Sequence, residues 1–459
     1  MIRNFVYSGA FDEIARTSEF SLLSVSPDAA INNMLRRQFG SVYSLKENRE
    51  KWLVRFQRDV LDIAHGRWLW SRAAQERWRL RDSEARTLRQ KATRTAKKSI
   101  SLPISNRYGL SLLSKSERAC SRLFNASKEY VELYKRIKPT LVFNGSHIHS
   151  RNAIQAVQAA QWLGIRTATF IFSWDNLTSQ GRIMLPYDYF LVWNEKLKSQ
   201  LLEMYDWINP ENVFVTGTPQ FDFHFRPSFY QSREDFCSRN GADPSRPIVF
   251  YSTGMANHMP GEPEIVEAIA DILKEYQGES RPQLLVRIYP KDLTGRFNEI
   301  KSRRRDILFP SIDWEPEWLT PKFEDSYALV NTLRHCAVGI NVASTVSLEL
   351  CMFDKPAINV GFNPKSVPES ELAYSNYYEF DHYKPVVESG AVQVATDLGE
   401  MRSLIRESLN DPQARSGQRK DLLTDMFGPT LDGKSAGRVA DVLLELAEPE
   451  INRTSASYA

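Results

Sequence analysis

The sequence predicts an α/β protein with two domains, each built around a parallel sheet. From residue 140 onward, short apolar runs alternate with amphipathic helical stretches, which is typical of parallel strands joined by crossover helices. The 459 residues are too many for one ordinary core. Apolar residues make up 42% and charged residues 25%, as in ordinary globular proteins, which argues against disorder and against a fibrous repeat.

The first 138 residues combine short strands with a helical insertion. Three apolar runs predict strands at 3–7, 20–25 and 41–45. Residues 46–98 hold many Arg, one Gly and no Pro, and they predict long helices. The Ser-rich segment 99–116 predicts a loop, and a further helix is expected to end near Lys138. The insertion therefore spans about 46–138.

Two Rossmann-like halves follow. The first has predicted strands at 140–144, 166–172, 189–193 and 213–216, with helices at 152–163 and 195–205. The second has predicted strands at 248–251, 283–288, 337–341 and 356–360, with helices at 263–276, 326–334 and 346–353. The turn-rich segment 217–219 separates them. We therefore predict an N-terminal domain at 1–217, a C-terminal domain at 218–434, and a closing helix with a flexible tail at 435–459.

The most informative stretch is 337–361, in which an apolar strand ends at a hydroxyl-bearing turn that opens a helix. The backbone N–H groups of Ser344, Thr345 and Val346 are expected to be unpaired and to point at an anion such as a phosphate. Glu349 lies one helical turn after Thr345, where its carboxylate could accept hydrogen bonds from ribose hydroxyls. The alternative is a plain Ser/Thr helix cap followed by a surface Glu.

This strand, the Ser-Thr turn, the helical Glu and then Lys355-Pro356 resemble the donor site of GT-B glycosyltransferases. Among them the bacterial CDP-glycerol glycerophosphotransferase-like and surface-polysaccharide transferases are the most similar. Three further segments resemble this family in order: VTGTPQFD at 215–222, LVRIYPKD at 285–292 and DGKSAGRV at 432–439. The first resembles the hinge of UDP-N-acetylglucosamine 2-epimerases and adds Thr218 to the donor site. The resemblance covers 140–447 and implies a GT-B fold whose two sheets face a central cleft.

The resemblance also assigns residues around the donor phosphates. Tyr289 stands where the family usually has the His of a His-Pro pair. Arg287 and Lys291 flank it and could bind phosphate instead, with solvated ends of a strand as the alternative. Thr253 and Gly254 follow the first strand of this half, and ligands of parallel sheets sit at the carboxyl ends of strands.

The N-terminal domain is expected to bind the acceptor and to supply a catalytic base. The loops 144–149 and 173–177 each follow a predicted strand directly. An inverting transfer needs a group that deprotonates the acceptor hydroxyl, and Asp175 or His147 could do so. Asp175 is slightly favoured, because the sequence SWDN resembles surface-carbohydrate proteins. In the alternative reading, Asp175 caps a turn and His147 fills a pocket wall.

Charge and cysteine content limit the partners. The formal charge of +3 is too small to indicate a nucleic-acid partner. Four scattered Cys predict neither a disulfide scaffold nor a zinc site. The basic, Trp-bearing stretch 52–98 could contact an anionic membrane surface, with a solvated face or an oligomer contact as the alternative. Lacking a signal-peptide pattern and a long apolar run, the protein is expected in the cytoplasm, with peripheral contact at the inner membrane face as an option.

The sequence therefore predicts a nucleotide-sugar-dependent glycosyltransferase, or a related glycerophosphotransferase, that acts on a cell-surface glycan or lipid-linked acceptor. No metal or other cofactor is expected, because fixed positive charge and backbone dipoles can stabilise the departing nucleotide. Two alternatives stay open. One is a sugar-nucleotide 2-epimerase, and the other is a non-catalytic GT-B-like scaffold that binds nucleotide, which the missing His before Pro290 supports.

Overall fold

In a computed structural model the chain divides into two compact units. Unit 1 comprises Arg3–Thr218 and the chain from Ser435, and unit 2 comprises Pro219–Lys434. The structure describes residues 1–46, 50–124, 127–148, 150–179, 182–278, 281–312, 314–315, 320–368 and 373–448. Residues 449–459, the end of the segment 435–459 that is predicted as a closing helix with a flexible tail, lie outside the described residues, and so does residue 149 of the predicted loop 144–149.

Unit 1 contains most of the helices. After a π-helical segment, Ile2–Tyr7, its elements are α1 (Ala10–Thr17), β1 (Ser21–Ser24), α2 (Ala29–Phe39), β2 (Ser41–Ser44), α3 (Trp52–Leu69), α4 (Arg72–Glu84), α5 (Leu88–Ser101), α6 (Arg107–Leu123), α7 (Lys128–Ile137), β3 (Leu141–Asn144), α8 (Ser150–Trp162), β4 (Arg166–Phe170), α9 (Asn176–Ser179), β5 (Tyr189–Val192), α10 (Glu195–Met204) and β6 (Val213–Val215).

Unit 2 alternates strands and helices. Its elements are α11 (Arg233–Asn240), β7 (Ile248–Ser252), α12 (Glu262–Leu273), β8 (Gln283–Arg287), α13 (Asn298–Arg303), β9 (Ile307–Leu308), β10 (Trp314–Glu315), β11 (Thr320–Pro321), α14 (Phe323–His335), β12 (Val338–Asn341), α15 (Val346–Met352), β13 (Ala357–Val360), α16 (Lys384–Glu388), β14 (Val392–Ala395), α17 (Leu398–Asn410) and α18 (Ser416–Phe427). The last helix, α19 (Ser435–Ala447), returns to unit 1 and packs against α1.

Short 3-10 turns complete the two units. They are Leu102–Ile104, Pro210–Asn212, Pro219–Phe225, Pro227–Phe229, Tyr374–Glu379 and Gly428–Thr430. All strands and helices predicted between 140 and 360 are present, although their ends shift by a few residues.

The sheet of unit 1 has four parallel strands in the order β3-β4-β5-β6. The earlier strands β1 and β2 form a separate parallel pair. Helices α7 and α8 pack against each other through Tyr130, Tyr134 and three Ala of α8. The small Ala side chains let the two helices approach closely, and the buried Tyr rings fill the space between them.

The predicted first strand, 3–7, is wrong, because this segment is π-helical. A strand would place alternate side chains on opposite faces. Instead Asn4, Phe5 and Val6 are buried in succession, which a helical backbone allows. The Phe5 ring centroid lies 5.3 Å from that of Phe143 and 5.4 Å from that of Phe170, on strands β3 and β4. The segment therefore anchors the chain to the sheet through one aromatic side chain.

The predicted loop 99–116 is also wrong, because α5, a 3-10 turn and α6 occupy it. Pro103 lies inside the 3-10 turn, where a missing N–H is tolerated. The Asn106 side chain then caps α6 by accepting from the amide three residues on, at 2.9 Å. Helix α6 packs on α3, where the buried Glu117 carboxylate accepts from Arg58 Nε at 2.7 Å. Pro103, which predicted a loop, therefore lies in the short turn that leads into α6.

The sheet of unit 2 has six parallel strands in the order β14-β13-β12-β7-β8-β9. Counted within the unit, this is the 3-2-1-4-5-6 order of a doubly wound sheet, read from the other edge. Strand β7 pairs with β12 on one side and β8 on the other. In β12, a Cβ on Gly339 would overlap the Leu350 side chain of α15. Glycine at this position therefore lets α15 lie close against the sheet.

Candidate functional site

The strand order of unit 2 reverses between the neighbouring strands β7 and β12. The chain leaves β7 toward β8 on one side and leaves β12 toward β13 on the other. The loops that follow the two strands therefore diverge, and doubly wound sheets bind ligands in the crevice at this point. Thr253 and Gly254 follow β7, and Ser344 and Thr345 follow β12. Four predicted donor residues thus lie on the two loops that border the reversal.

The turn after β12 is held by its own side chains. Ala343 has a φ of 37°, a left-handed conformation that costs free energy for a residue with a Cβ. The Ser344 amide donates to Asn341 Oδ1 at 3.1 Å, and the Val346 amide donates to Ser344 Oγ at 3.3 Å. The prediction of unpaired amides is therefore wrong for Ser344 and Val346, because nearby side chains accept from them. The side chains of Ser344 and Thr345 are half-buried.

A buried polar network supports this turn from beneath. Asn341 Oδ1 also accepts from Ser347 Oγ and from Asn359 Nδ2, each at 3.1 Å. The Tyr383 hydroxyl lies 2.8 Å from Ser347 Oγ and 2.7 Å from Asn359 Oδ1, and burial raises its pKa. All four residues are fully buried. Sequence reasoning missed them, although two Asn at matching positions of the apolar strands β12 and β13 were a usable signal.

Glu349 lies inside unit 2 and not on its surface. It is 4% exposed, and its Oε1 is 3.6 Å from Nε2 of His224. His224, on the 3-10 turn Pro219–Phe225, is buried to the same extent. The alternative reading of a surface Glu is therefore wrong. The contact with His224 joins α15 to the start of unit 2, and it was not visible in the sequence because 125 positions separate the two residues.

The cations predicted beside Tyr289 differ in their surroundings. The Arg287 guanidinium donates to Asp325 Oδ1 at 2.7 Å, and both side chains are buried. The reading of Arg287 as a solvated strand end is wrong, and much of its charge is balanced by Asp325. Lys291 is exposed. Tyr289 is half-buried, which raises the pKa of its phenol, and its amide donates to Thr253 Oγ1 at 2.8 Å.

A buried ion pair fixes the loop after β7. The Glu262 carboxylate accepts from the Gly254 amide at 3.0 and 2.9 Å, from the Tyr251 hydroxyl at 3.1 Å and from Arg296 at 2.8 Å. Burial raises the pKa of Glu262 to about 7, although Arg296 opposes the shift. A Cβ on Gly254 would overlap Met259 Sδ, so a larger residue here would require the Met259 side chain to move. Sequence reasoning found Gly254 but neither charged partner.

In unit 1, Asp175 shapes the turn that opens α9. Its Oδ2 accepts from Ser179 Oγ at 2.9 Å and its Oδ1 from Asn176 Nδ2 at 3.4 Å. The Asn176 side chain in turn accepts from the Ser173 amide at 2.8 Å. Asp175 and Asn176 therefore form the capped turn of the alternative reading, while Asp175 itself remains half-buried. His147 is fully buried, and its amide donates to the Phe170 carbonyl at 3.3 Å.

The helical insertion holds this turn in place. The Ser71 hydroxyl donates to the Thr178 carbonyl at 2.6 Å, and Arg77 donates to the Ser179 carbonyl at 3.0 Å. Both donors lie on or next to α4, which packs against α9. These bonds satisfy carbonyl groups at the end of a four-residue helix, which has few internal partners of its own. The insertion is therefore part of the scaffold of the predicted acceptor loop.

Comparison with known proteins concerns the fold. No protein family and no curated protein matches the sequence. The structure is similar to a glycosyltransferase from Rickettsia africae ESF-5, with a TM-score of 0.50 and 11% identity over 97% of this chain and 96% of that one. It also matches a UDP-GlcNAc 2-epimerase from Methanocaldococcus jannaschii, with a TM-score of 0.45 and 16% identity over 74% of this chain and 83% of that one. The first likeness shows the predicted fold class, two Rossmann-like domains of the GT-B type.

Three features remain to be described: Thr218, groups of metal-ligating side chains, and helices that could cross a membrane. Thr218 is 3% exposed, and its Oγ1 has no hydrogen-bond partner among the described residues. Among all residues that the structure describes, no three His, Cys, Asp or Glu side chains are grouped as metal ligands would be. No helix that the structure describes is long and apolar enough to cross a membrane.

Proposed function

We propose that the chain is an enzyme that transfers a group from a nucleotide-activated donor, as a nucleotide-sugar-dependent glycosyltransferase of the GT-B type. One observation carries the proposal. The strand order of unit 2 reverses between β7 and β12, and both loops at the reversal bear hydroxyl groups. A fold of this type hosts several activities, so we base the proposal on the site and not on structural likeness.

The donor phosphates are proposed to bind at the turn between β12 and α15. The half-buried hydroxyls of Ser344 and Thr345 can donate to phosphate oxygens. Arg287 is already paired with Asp325, so Lys291 is the predicted cation that remains available for the phosphate. Because these groups can neutralise the departing nucleotide, we propose a reaction without a metal ion.

Asp175 is the better candidate for the catalytic base. Transfer requires the base to take the acceptor hydroxyl proton while the acceptor oxygen attacks the donor carbon and the bond to the leaving phosphate oxygen breaks. Asp175 is half-buried, whereas the His147 ring is fully buried and cannot reach a solvent-borne acceptor from that position. His147 is therefore proposed to support the loop.

The acceptor is proposed to be a cell-surface glycan or a lipid-linked molecule, as in the CDP-glycerol glycerophosphotransferase-like proteins that the sequence resembles. Such an acceptor fits an enzyme that works in the cytoplasm and contacts the inner face of the membrane through 52–98. In that stretch Trp52 and Trp70 are 71% and 48% exposed, whereas Trp78 is half-buried, with Lys98 Nζ 4.8 Å from its ring centroid.

Nucleotide binding tests the proposal directly. The thermal shift of the chain is measured with UDP, CDP, CMP and GDP, for the wild type and for Thr345→Val and Lys291→Ala. Losing one hydrogen bond or ion pair to a phosphate should weaken binding of the preferred nucleotide about tenfold or more. Lys420→Ala, an exposed Lys on α18, is the matched control and should bind as the wild type does.

The outcomes separate the alternatives. Hydrolysis or transfer of the activated donor that corresponds to the best nucleotide would support an enzyme. Binding without turnover would favour the non-catalytic scaffold. If none of the four nucleotides raises the melting temperature, the proposed donor site is wrong.

A second candidate, a sugar-nucleotide 2-epimerase, is favoured by the buried pair of His224 and Glu349. Epimerisation needs acidic and basic groups that exchange a proton with the sugar, and this pair has that chemistry. Each side chain is 4% exposed, so both would have to be uncovered when the sugar binds. The test is to incubate a UDP-N-acetylhexosamine with the chain and to follow the sugar by NMR. Formation of the 2-epimer would support the epimerase, while release of UDP without an epimer would support the transferase.

A further inference from the structure

Residues 85–124, which span α5, the following 3-10 turn and α6, are strongly basic. They contain ten Lys and Arg and a single acidic residue, Glu117, for a formal charge of +9. The whole chain carries +3, so all other residues together carry −6. Glu117 is buried against Arg58 and does not face outward. Three of the ten cations, Arg94, Lys97 and Lys98, form ion pairs with Asp82 or Asp59, whereas six others are exposed. The exposed charge of the segment is therefore positive, and we call its exposed part the 85–124 surface.

The same surface exposes large apolar side chains. Of the sixteen large hydrophobic residues that are exposed in the described part of the chain, seven lie in this segment. They are Leu88, Ile100, Leu102, Tyr108, Leu112, Leu123 and Phe124. Four of them are more than 70% exposed, which is a large apolar exposure for one segment of 40 residues. A solvated charged face alone does not explain such a set.

On α6 the helix geometry places both kinds of side chain on the same side. Helices α5 and α6 each pack against α3, so their opposite faces point outward. On α6, the exposed residues Tyr108, Leu112, Lys115 and Leu123 recur at spacings of three, four and eight, which is one helical face. Glu117 and Ser121, on the other face, are buried. Helix α6 is therefore amphipathic, with an outward face that is apolar and basic.

We propose that the 85–124 surface binds an anionic lipid bilayer. Apolar side chains can enter the boundary between head groups and acyl chains, while Lys and Arg meet anionic head groups. RNA fits less well, because five of the seven exposed apolar side chains are aliphatic and cannot stack on bases, which leaves only Tyr108 and Phe124 of this set to do so. A second copy of this chain is disfavoured because two faces of the same strong charge would repel each other.

This proposal differs from contact through 52–98, since it includes α6 and does not require the Trp side chains. It also does not rest on the proposed transferase function, because vesicle binding is measured without a donor or an acceptor. If the chain does transfer a group to a lipid-linked acceptor, the bilayer contact would bring the enzyme to its substrate.

Vesicle flotation of the full chain tests the proposal. Vesicles of phosphatidylcholine alone are compared with vesicles that also contain about 30 mol% phosphatidylglycerol, at low and high salt. The charge variant is Arg89→Gln/Lys91→Gln/Lys115→Gln, and the apolar variant is Leu88→Gln/Leu112→Gln/Leu123→Gln. The matched controls lie on exposed positions of unit 2: Arg305→Gln/Lys365→Gln/Arg406→Gln for charge and Leu293→Gln for apolar area.

The wild type is expected to float only with anionic vesicles and to be released by high salt. The charge variant should partition roughly a hundredfold less, because each basic side chain near an anionic surface contributes about a factor of five. The apolar variant should partition at least tenfold less at unchanged salt, since it loses buried Leu area. The controls should match the wild type, and the melting temperature should be the same in all variants.

Several results would overturn the proposal. They are absence of binding to anionic vesicles, full binding by the apolar variant, and binding to an RNA oligonucleotide at concentrations where vesicles do not bind. Self-association of the wild type that the same variants abolish, in the absence of vesicle binding, would assign the surface to a second copy. Should the apolar variant melt below the wild type, Leu112→Gln alone provides the apolar test, because this side chain is 72% exposed.

Discussion

Replacement of Asn341 by Ala is the sharpest test of how the proposed phosphate turn is held. Asn341 is fully buried, and its Oδ1 accepts hydrogen bonds from the Ser344 amide, from Ser347 Oγ and from Asn359 Nδ2, each at 3.1 Å. Ala removes the acceptor and leaves the three donors in place. The expected result is a loss of stability of unit 2 together with a looser turn after β12.

The structure bounds the size of this loss. A buried donor left without a partner costs about 1–3 kcal/mol. Asn359 Nδ2 keeps a second acceptor, Ser347 Oγ at 3.1 Å, so its loss is small. The Ser347 hydroxyl carries most of the cost, because the half-buried Ser344 amide can bond to water. Ala also removes the buried Asn341 Nδ2, which has no partner among the described residues, so the total is about 1–3 kcal/mol. In a unit of about 200 residues this corresponds to a fall in melting temperature of roughly 2–12 °C.

The assay is calorimetry and urea denaturation of the wild type and Asn341→Ala. The matched control is Asn410→Ala, at an exposed position on α17, which should change stability by less than about 0.5 kcal/mol. Nucleotide affinity of Asn341→Ala should also fall, because the Ser344 amide loses its anchor. An Asn341→Ala protein that unfolds within about 0.5 kcal/mol of the control would refute the reasoning.

Two further predictions concern buried charges. Burial lowers the pKa of His65 to about 3, whereas the unfolded value is 6.5, so the unfolded chain gains a proton first as the pH falls. Between about pH 7 and about pH 5 the chain should lose roughly 2 kcal/mol of stability. His65→Gln should remove this part of the pH dependence, whereas the half-buried control His382→Gln should keep it. Equal pH profiles of stability for the wild type and both variants would contradict the prediction. Separately, Arg287→Ala leaves Asp325 buried without its cation and should destabilise unit 2 by about 3–5 kcal/mol. In denaturation of both single variants and the double variant, strictly additive losses would show that the two side chains do not interact.

The sequence by itself determined the alternation of strands and helices from 140 to 360. That pattern is local, because the faces of a strand or a helix are set by which of its own neighbours are apolar. It also determined that Thr253, Gly254, Ser344 and Thr345 follow strands. The prediction was wrong at 3–7, where the buried Phe5 ring packs on the sheet from a helical backbone. It was also wrong at 99–116, where the Asn106 side chain caps a helix in a Ser-rich segment.

Only the tertiary structure decided which of these loops are neighbours. Strand β7 pairs with β12 across almost ninety residues of chain, so the reversal point depends on packing between distant elements and leaves no local pattern. The partners of Arg287 and Glu349, which are Asp325 and His224, are likewise distant in sequence. The sequence alone therefore suggests two available charges that are paired in the folded protein. Sequence spacing determines on which face of its own strand or helix a side chain lies, whereas the tertiary contacts determine which residues that side chain binds.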